Sequence, residues 1–302
     1  MISIVIPAYN ESKTLENNVK EIGKCIQSFE HEVILIDDGS KDATWDVICK
    51  LAKENPAIKG IKFSRNFGKE AALLAGLAEA KGDAVIPMDA DLQDSPKDIA
   101  QMIQKWQEGY KVVECVSKKR PKESFFHKLC AGGFYHTLKK LTKIDMANAR
   151  DFRLMDRQVV DEILKLEDRN LFFKGMASYV GFKKTTILVD TDERKDDVSK
   201  FTLKTLTHLA LNAITSFSTA PLKLPVTFGI ISFMVAMVML VLSLGGYTCT
   251  ITMNHILWLG TIGMLMISFV LFSLGVIGFY IGKMYEQVKG RPRYIIEERV
   301  SY

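Results

Sequence analysis

Between Lys223 and Lys283 the chain carries no Asp, Glu, Lys or Arg. A helix in a soluble domain keeps a polar face, and nothing in this stretch supplies one. Each membrane-spanning helix needs roughly 20 mostly apolar residues. A natural break runs from Gly245-Gly246-Tyr247 to Asn254-His255, so the stretch divides into two expected spans, Val226–Leu244 and Ile256–Ile281. A buried core hairpin is the alternative, and the missing polar face argues against it. The connecting loop has no Lys or Arg, whereas Lys223, Lys283, Lys289, Arg291 and Arg293 crowd the outer ends. By the positive-inside rule both termini and the polar portion face the cytoplasm, which makes this a multi-pass protein of the cell membrane. Met1-Ile2-Ser3-Ile4 opens directly in a strand pattern without a basic leader, so no signal peptide is expected.

The formal charge of +5 is modest. Basic clusters near the spans suit anionic headgroups or a phosphorylated ligand. No basic stripe with interleaved aromatics is present, so nucleic acid is not an expected partner. Cys25, Cys49, Cys115, Cys130 and Cys249 are odd in number and not closely paired, which fits a reducing compartment and offers no metal-site spacing.

Over residues 1–120 short β-rich runs alternate with helical stretches, the pattern of an α/β domain on a mostly parallel sheet. Expected strands are Ile2–Ile6, Glu32–Ile36, Ile58–Ser64, Ala84–Met88 and Val112–Val116. Helices are expected near Thr14–Ser28, Thr44–Glu54, Gly68–Ala80 and Pro96–Glu108. Ligands of open α/β sheets sit outside the carboxyl ends of the strands. Four polar clusters fall there: Pro7-Ala8-Tyr9-Asn10-Glu11, Asp37-Asp38-Gly39-Ser40, Arg65-Asn66-Phe67-Gly68-Lys69-Glu70 and Asp89-Ala90-Asp91-Leu92-Gln93-Asp94. Each alone reads as an ordinary turn; four on one sheet edge read as a site.

Asp89 and Asp91 are two apart, so on extended backbone their carboxylates point to one side. Paired hard oxygens suit Mg2+ or Mn2+. Tyr9 has the shape to stack on a base, Asp38 to accept from a base N–H or ribose hydroxyl, and Arg65 and Lys69 to answer diphosphate charge. Neither a Walker A nor a Gly-x-Gly-x-x-Gly sequence occurs, which argues against P-loop hydrolysis and dinucleotide redox chemistry.

Downstream, Phe125, Phe126, Leu129, Phe134, Leu138 and Leu141 recur at helical spacing among Lys128, Lys139, Lys140 and Lys143; Leu203, Leu206, Ala210, Ala213 and Phe217 repeat the pattern. Such helices lie on the bilayer surface or pack against the α/β domain. Between them, Arg150–Arg157 sets charges beside a short apolar core and also reads as a helix start capped by Asp151.

With these residues in view, the chain resembles family 2 glycosyltransferases of the GT-A fold, in particular polyisoprenyl-phosphate glycosyltransferases such as bactoprenol glucosyltransferases and dolichyl-phosphate mannose synthases. The carriers are the four clusters above, Asp151-Phe152-Arg153-Leu154-Met155-Asp156, and Ile214-Thr215-Ser216-Phe217-Ser218 followed by two spans. The resemblance implies a GT-A nucleotide-sugar domain with a mostly parallel sheet over 1–200, with 120–145 as an interfacial helix. It further implies a juxtamembrane amphipathic helix over 201–224, two transmembrane helices over 225–282 and a basic cytoplasmic tail over 283–302. Pro7, Tyr9, Glu11, Ile36, Asp38 and Ala90 would hold the nucleotide sugar, with Arg65, Lys69 and Lys200 at its phosphates. Asp89, Asp91 and Gln93 would hold the metal and diphosphate. Lys118, Arg120 and Lys128 are candidates for the acceptor phosphate. Asp94 and Asp151 would position sugar hydroxyls or act as base.

The implied reaction is inverting transfer of a hexose from a nucleotide sugar to a membrane polyisoprenyl phosphate, for cell-envelope glycosylation. Glucose from UDP-glucose and undecaprenyl phosphate are the first expectation; N-acetylglucosamine, galactose or GDP-mannose follow. A processive polysaccharide synthase would carry Gln-x-x-Arg-Trp, which is absent. A catalytically inactive membrane adaptor or lipid-binding subunit is the reading from another class. A homo-oligomer is compatible with the sequence.

Overall fold

A computed structural model describes residues 1–92, 94–117, 151–166, 173–189, 225, 227–231, 234 and 253–301. The chain divides into two compact units, Met1–Thr207 with Arg291–Tyr302, and His208–Gly290.

The first unit opens with alternating strands and helices: β1 (Ile2–Ala8), α1 (Leu15–Ile26), β2 (His31–Asp37), α2 (Thr44–Glu54), β3 (Ile58–Phe63), α3 (Lys69–Glu79) and β4 (Ala84–Pro87). A short 3-10 turn at Pro96–Asp98 leads into α4 (Ile99–Gln107) and then β5 (Val112–Ser117). After them come β6 (Arg153–Asp156), α5 (Arg157–Lys165), α6 (Phe173–Tyr179), β7 (Lys184–Val189) and β8 (Ile296–Val300). The strands form one sheet in the order β7-β5-β6-β4-β1-β2-β3-β8. Within β4-β1-β2-β3 every pairing is parallel. Strands β6 and β8 run antiparallel to their neighbours. This is the expected GT-A-like α/β architecture.

Side chains alternate faces along a strand, and β1 shows the consequence. Ile4 and Ile6 belong to one buried cluster with Leu15, Ile22, Ile48 and Ile99, whereas Val5 joins the opposite cluster with Ile34, Ile36, Leu73 and Leu77. Helices cover both faces, so the central strands read as unbroken apolar runs. Helix α3 lies close on the sheet: a Cβ on Gly76 would stand 2.2 Å from the Val5 side chain.

The expected elements of the first 120 residues match to within a residue or two. The segment at 150–157 differs. Arg153–Asp156 is a strand between β4 and β5, and the following helix is capped by Asp156, whose carboxylate accepts from the Gln158 N–H at 3.0 Å. Asp151 is therefore not a helix cap; it precedes β6.

The sequence predicted no element in the tail, yet Ile296–Val300 completes the sheet edge against β3. Tyr294 stacks on Phe63 with centroids 5.1 Å apart, and the Ser64 N–H donates to the Ile295 carbonyl at 3.1 Å. Trp45 donates to Glu298 at 3.0 Å, and Lys62 pairs with Glu297 and Glu298.

In the second unit α7 runs from Met253 to Val288, 36 residues. Its Met266–Tyr285 segment is long and apolar enough to cross a membrane, and none of it is buried. It is the one such helix among the described residues. Of the first expected span, only 227–231 and 234 are described within 226–244; they are helical, and Phe228 lies 5.4 Å from Phe269 of α7. The expected helices at 120–145 and 201–224 lie outside the described residues.

Candidate active site

The loops after β1 and β2 are tied to each other by backbone donors meeting short polar side chains. Asn10 N–H donates to the Ser40 hydroxyl and Lys41 N–H to the Asn10 side chain, both at 2.9 Å. Glu11 N–H donates to the Thr44 hydroxyl at 2.9 Å, and Ser12 N–H to Asp42 at 3.2 Å. Asp42 also accepts from the Thr44 N–H and hydroxyl. Burial pushes the Asp42 carboxyl up, but the hydrogen bonds from Ser12 and Thr44 outweigh it and hold it down at about 2. Asn10 has φ 57°, a left-handed conformation that asparagine tolerates better than most residues.

A second tie joins the loops after β2 and β3. Asp38, 3% exposed, accepts from the Phe67 N–H at 2.7 Å and the Gly68 N–H at 2.9 Å, one per carboxylate oxygen. Burial raises its pKa despite those bonds. Asp37 accepts from the Ser40 N–H at 2.9 Å. Gly39, at φ +67°, passes so near the third loop that a Cβ would sit 2.4 Å from the Arg65 carbonyl carbon. Only glycine fits that crossing. Asp38 is thus a brace for the 65–68 loop, with lone pairs left for a ligand.

Around this frame, Tyr9 is 42% exposed. Pro7 and Glu11 are half-buried, and Glu11 accepts from the Thr14 hydroxyl at 2.8 Å. Ile36 is fully buried, so it offers a ligand its backbone and no side-chain surface. Arg65 is exposed and its guanidinium lies 4.3 Å from the Phe67 ring centroid.

The acidic loop is built otherwise. β4 ends at Pro87, and Asp89-Ala90-Asp91 enter a turn. The same-side geometry expected from extended backbone therefore does not apply. Asn18 on α1 donates to the buried Ala90 carbonyl at 2.6 Å, and Leu92 takes φ 53°, a strained conformation for a leucine. Asp91 is exposed, Asp94 half-buried. Lys69, the first residue of α3, bridges Asp89 at 2.6 Å and Asp151 at 2.8 Å. Burial works to lower the Lys69 pKa; attraction to Asp151 and Asp89 overcomes it and raises the pKa.

Beneath this trio lies Arg153, completely buried, its charge facing Glu114 at 3.7 Å and its guanidinium 5.8 Å from the Phe173 ring. Burial lowers its pKa, against the pull of Glu114, Asp151 and Glu70. Glu70 in turn accepts from the Phe173 N–H at 2.9 Å, tying α6 to α3. The structure thus brings together Asp89, Asp151 and Lys69 on one side, and Tyr9, Glu11, Asp38 and Arg65 on loops braced to one another. Gln93, Lys118, Arg120, Lys128 and Lys200 lie outside the described residues.

Several contributors went unread in the sequence. Asn18 looks like an ordinary helix residue until its partner is known, and Arg153, named only within the Asp151–Asp156 motif, gave no sign of its burial against Glu114. Asn10, Asp42 and Thr44 carried a signal: short polar side chains clustered at strand ends commonly bind neighbouring backbone.

Among the described residues no three His, Cys, Asp or Glu side chains converge as a closed metal cage. Mg2+ and Mn2+ do not require one: one or two carboxylates suffice when substrate phosphates and water complete the octahedron. The chemistry of Asp89 and Asp91 fits such a site, and an ammonium already sits at 2.6 Å from Asp89.

Comparison with known proteins gives the family. The sequence pattern of Glycosyl transferase family 2 matches residues 3–164. An uncharacterized glycosyltransferase of Bacillus subtilis is 39% identical, covering 98% of this chain and 93% of the relative. The SfII prophage-derived bactoprenol glucosyl transferase of Shigella flexneri is also 39% identical, over 98% of this chain and 97% of its own. Among solved structures, a glucosyl-3-phosphoglycerate synthase from Mycobacterium tuberculosis with Mn2+ and UDP-glucose covers 72% of this chain and 77% of its own, at 18% identity and TM-score 0.49.

Proposed function

The chain belongs to glycosyl transferase family 2, and from that membership we propose that it moves a hexose from a nucleotide sugar to a polyisoprenyl phosphate at a membrane. It is a glycosyltransferase. The donor is UDP-glucose and the acceptor undecaprenyl phosphate, in keeping with whole-length relatives named bactoprenol glucosyl transferases. The single observation that carries the reading is the juxtaposition of braced strand-end loops with the Asp89–Lys69–Asp151 charge cluster on the same chain as an exposed, membrane-length helix. Two spans, 226–244 and 256–281, would anchor the enzyme with its catalytic unit in the cytoplasm.

In this reading Tyr9 stacks on the base, and Glu11 and Asp38 meet base and ribose. Asp89 and Asp91, with Gln93, hold Mg2+ or Mn2+, which when bound neutralises charge on the departing nucleotide diphosphate. The acceptor phosphate is ionised near neutral pH and needs no strong base to attack. What the chain must supply is placement and positive charge: Arg65 and Lys200 at the donor phosphates, Lys118, Arg120 and Lys128 at the acceptor. Asp94 and Asp151 then orient sugar hydroxyls, and the anomeric configuration inverts in a single displacement.

Detergent-solubilised enzyme incubated with labelled UDP-glucose and undecaprenyl phosphate should yield a singly glycosylated lipid by mass spectrometry. A long polymer would identify a processive synthase. Absence of product with every donor in a panel of UDP- and GDP-sugars would leave the adaptor reading standing.

A further inference from the structure

We propose that Lys69 is a built-in counter-cation for the acidic loop: its ammonium occupies the Asp89 carboxylate until a divalent ion arrives together with the nucleotide diphosphate. The proposal rests on the assignment of Asp89 as a metal ligand. Its physical basis is the bridging geometry, Nζ standing 2.6 Å from Asp89 and 2.8 Å from Asp151. Two carboxylates so close repel unless a cation lies between them, and the Lys69 ammonium lies within ion-pair distance of both.

A divalent ion arriving alone must displace that ammonium from Asp89 while giving up water of its own. It then leaves Lys69 with Asp151 as its remaining partner. An ion arriving on a diphosphate meets a different balance, because the phosphate oxygens supply ligands and also a new anionic partner for the displaced ammonium. Lys69 thereby makes metal and donor binding mutually reinforcing. By linkage, whatever factor the donor adds to metal affinity the metal adds to donor affinity. Asp151 is the second half of the device: it keeps the displaced ammonium from leaving the site. Lys69 is a positioning residue here, acting through Asp89 rather than on the sugar.

The test is Mn2+ binding to the full-length, detergent-solubilised protein, followed by the free-ion electron paramagnetic resonance signal with and without UDP. Lys69→Met should bind Mn2+ without nucleotide roughly fivefold tighter than wild type, the scale of removing one partly exposed ion pair. The extra affinity gained on adding UDP should shrink correspondingly. Lys69→Arg should keep the wild-type value, and Lys97→Met, which removes a positive charge that makes no ion pair with Asp89, should keep it too. Lys69→Gln serves as the second neutral variant if Lys69→Met does not fold. Unchanged or weaker Mn2+ binding in both neutral variants, or equal tightening by Lys97→Met, overturns the proposal. Asp89→Asn separates the two levels. If that variant binds Mn2+ as wild type does, the metal assignment itself falls. If it loses the ion while Lys69→Met shows no gain, the assignment stands and the counter-cation role falls.

Discussion

The loops after β1, β2 and β3 and the loop after β4 share one edge of one sheet, yet the ties described for them differ in kind. The first three are knitted by directed hydrogen bonds: Asn10, Asp38, Asp42 and Thr44 each bind backbone of another strand-end segment, and Gly39 lets two loops cross in near contact. The fourth is held by the Asn18 bond to Ala90 and the charge bridge of Lys69. An ion pair at a partly exposed carboxylate contributes little on its own, so it is more readily exchanged than a set of directed bonds to backbone. On the proposed reading, the loops assigned to the nucleotide are preorganised and the acidic loop is loaded at the moment of use.

The largest effect should come from the exchangeable side. Asp91→Asn keeps the size of the side chain and removes its charge. Transfer should fall by roughly 10³-fold, the scale of losing a charge-stabilising group at the reaction centre, with membrane insertion unchanged. Wild-type turnover by this variant, or full activity in excess EDTA, would break the distinction between the two loop sets.

The braced side should respond in stability as well as in rate. Asp38→Asn presents an amide NH2 where one of the Phe67 and Gly68 N–H groups now finds an oxygen. Leaving that buried donor without an acceptor costs about 2 kcal/mol. A lower melting temperature together with a raised donor KM is expected; an unaltered melting temperature would show that the 65–68 loop holds its shape without Asp38.

The parallel half of the sheet was legible because its physics is local. Ile4, Val5 and Ile6 are buried on alternate faces and read as one apolar run, and each is followed by turn chemistry. Strands β6 and β8 were not legible. Arg153 is a fully buried charge whose burial depends on Glu114, in a strand distant in sequence. In β8, Glu297, Glu298 and Arg299 mark a solvated edge, a composition that edge strands favour and that looks like a tail. Of the candidate site, the sequence placed Asp89, Asp91 and Asp38 at strand ends, but did not show that Asp38 braces a loop or that Lys69 joins Asp89 to Asp151.

A smaller effect is expected where the acidic loop meets α1. Asn18→Ala removes the 2.6 Å bond to the Ala90 carbonyl, worth about 1 kcal/mol. With its anchor gone the Asp89–Asp91 turn samples more conformations, so metal dependence should shift to higher Mg2+ or Mn2+ concentration while the donor KM at saturating metal stays near wild type. A change in donor KM alone would mean that α1 supports the nucleotide loops instead.

The smallest effect concerns pH, and it tests whether the loop ties are real contributors to stability. Asp42 is held at about 2 against an ordinary value of 3.8 by the bonds from Ser12 and Thr44. A carboxyl with a depressed folded-state pKa binds its proton more readily when unfolded, so its contribution is present above 3.8 and is lost as pH falls through about 2. Wild type and Asp42→Asn should therefore differ in melting temperature near neutral pH and converge in strong acid. Because Asp42 is near the surface, solvent screens the effect and the difference should be slight. A gap that stays constant down to pH 2 would assign it to the geometry of the asparagine instead of the lost charge, and would leave the Asp42 tie as a matter of shape alone.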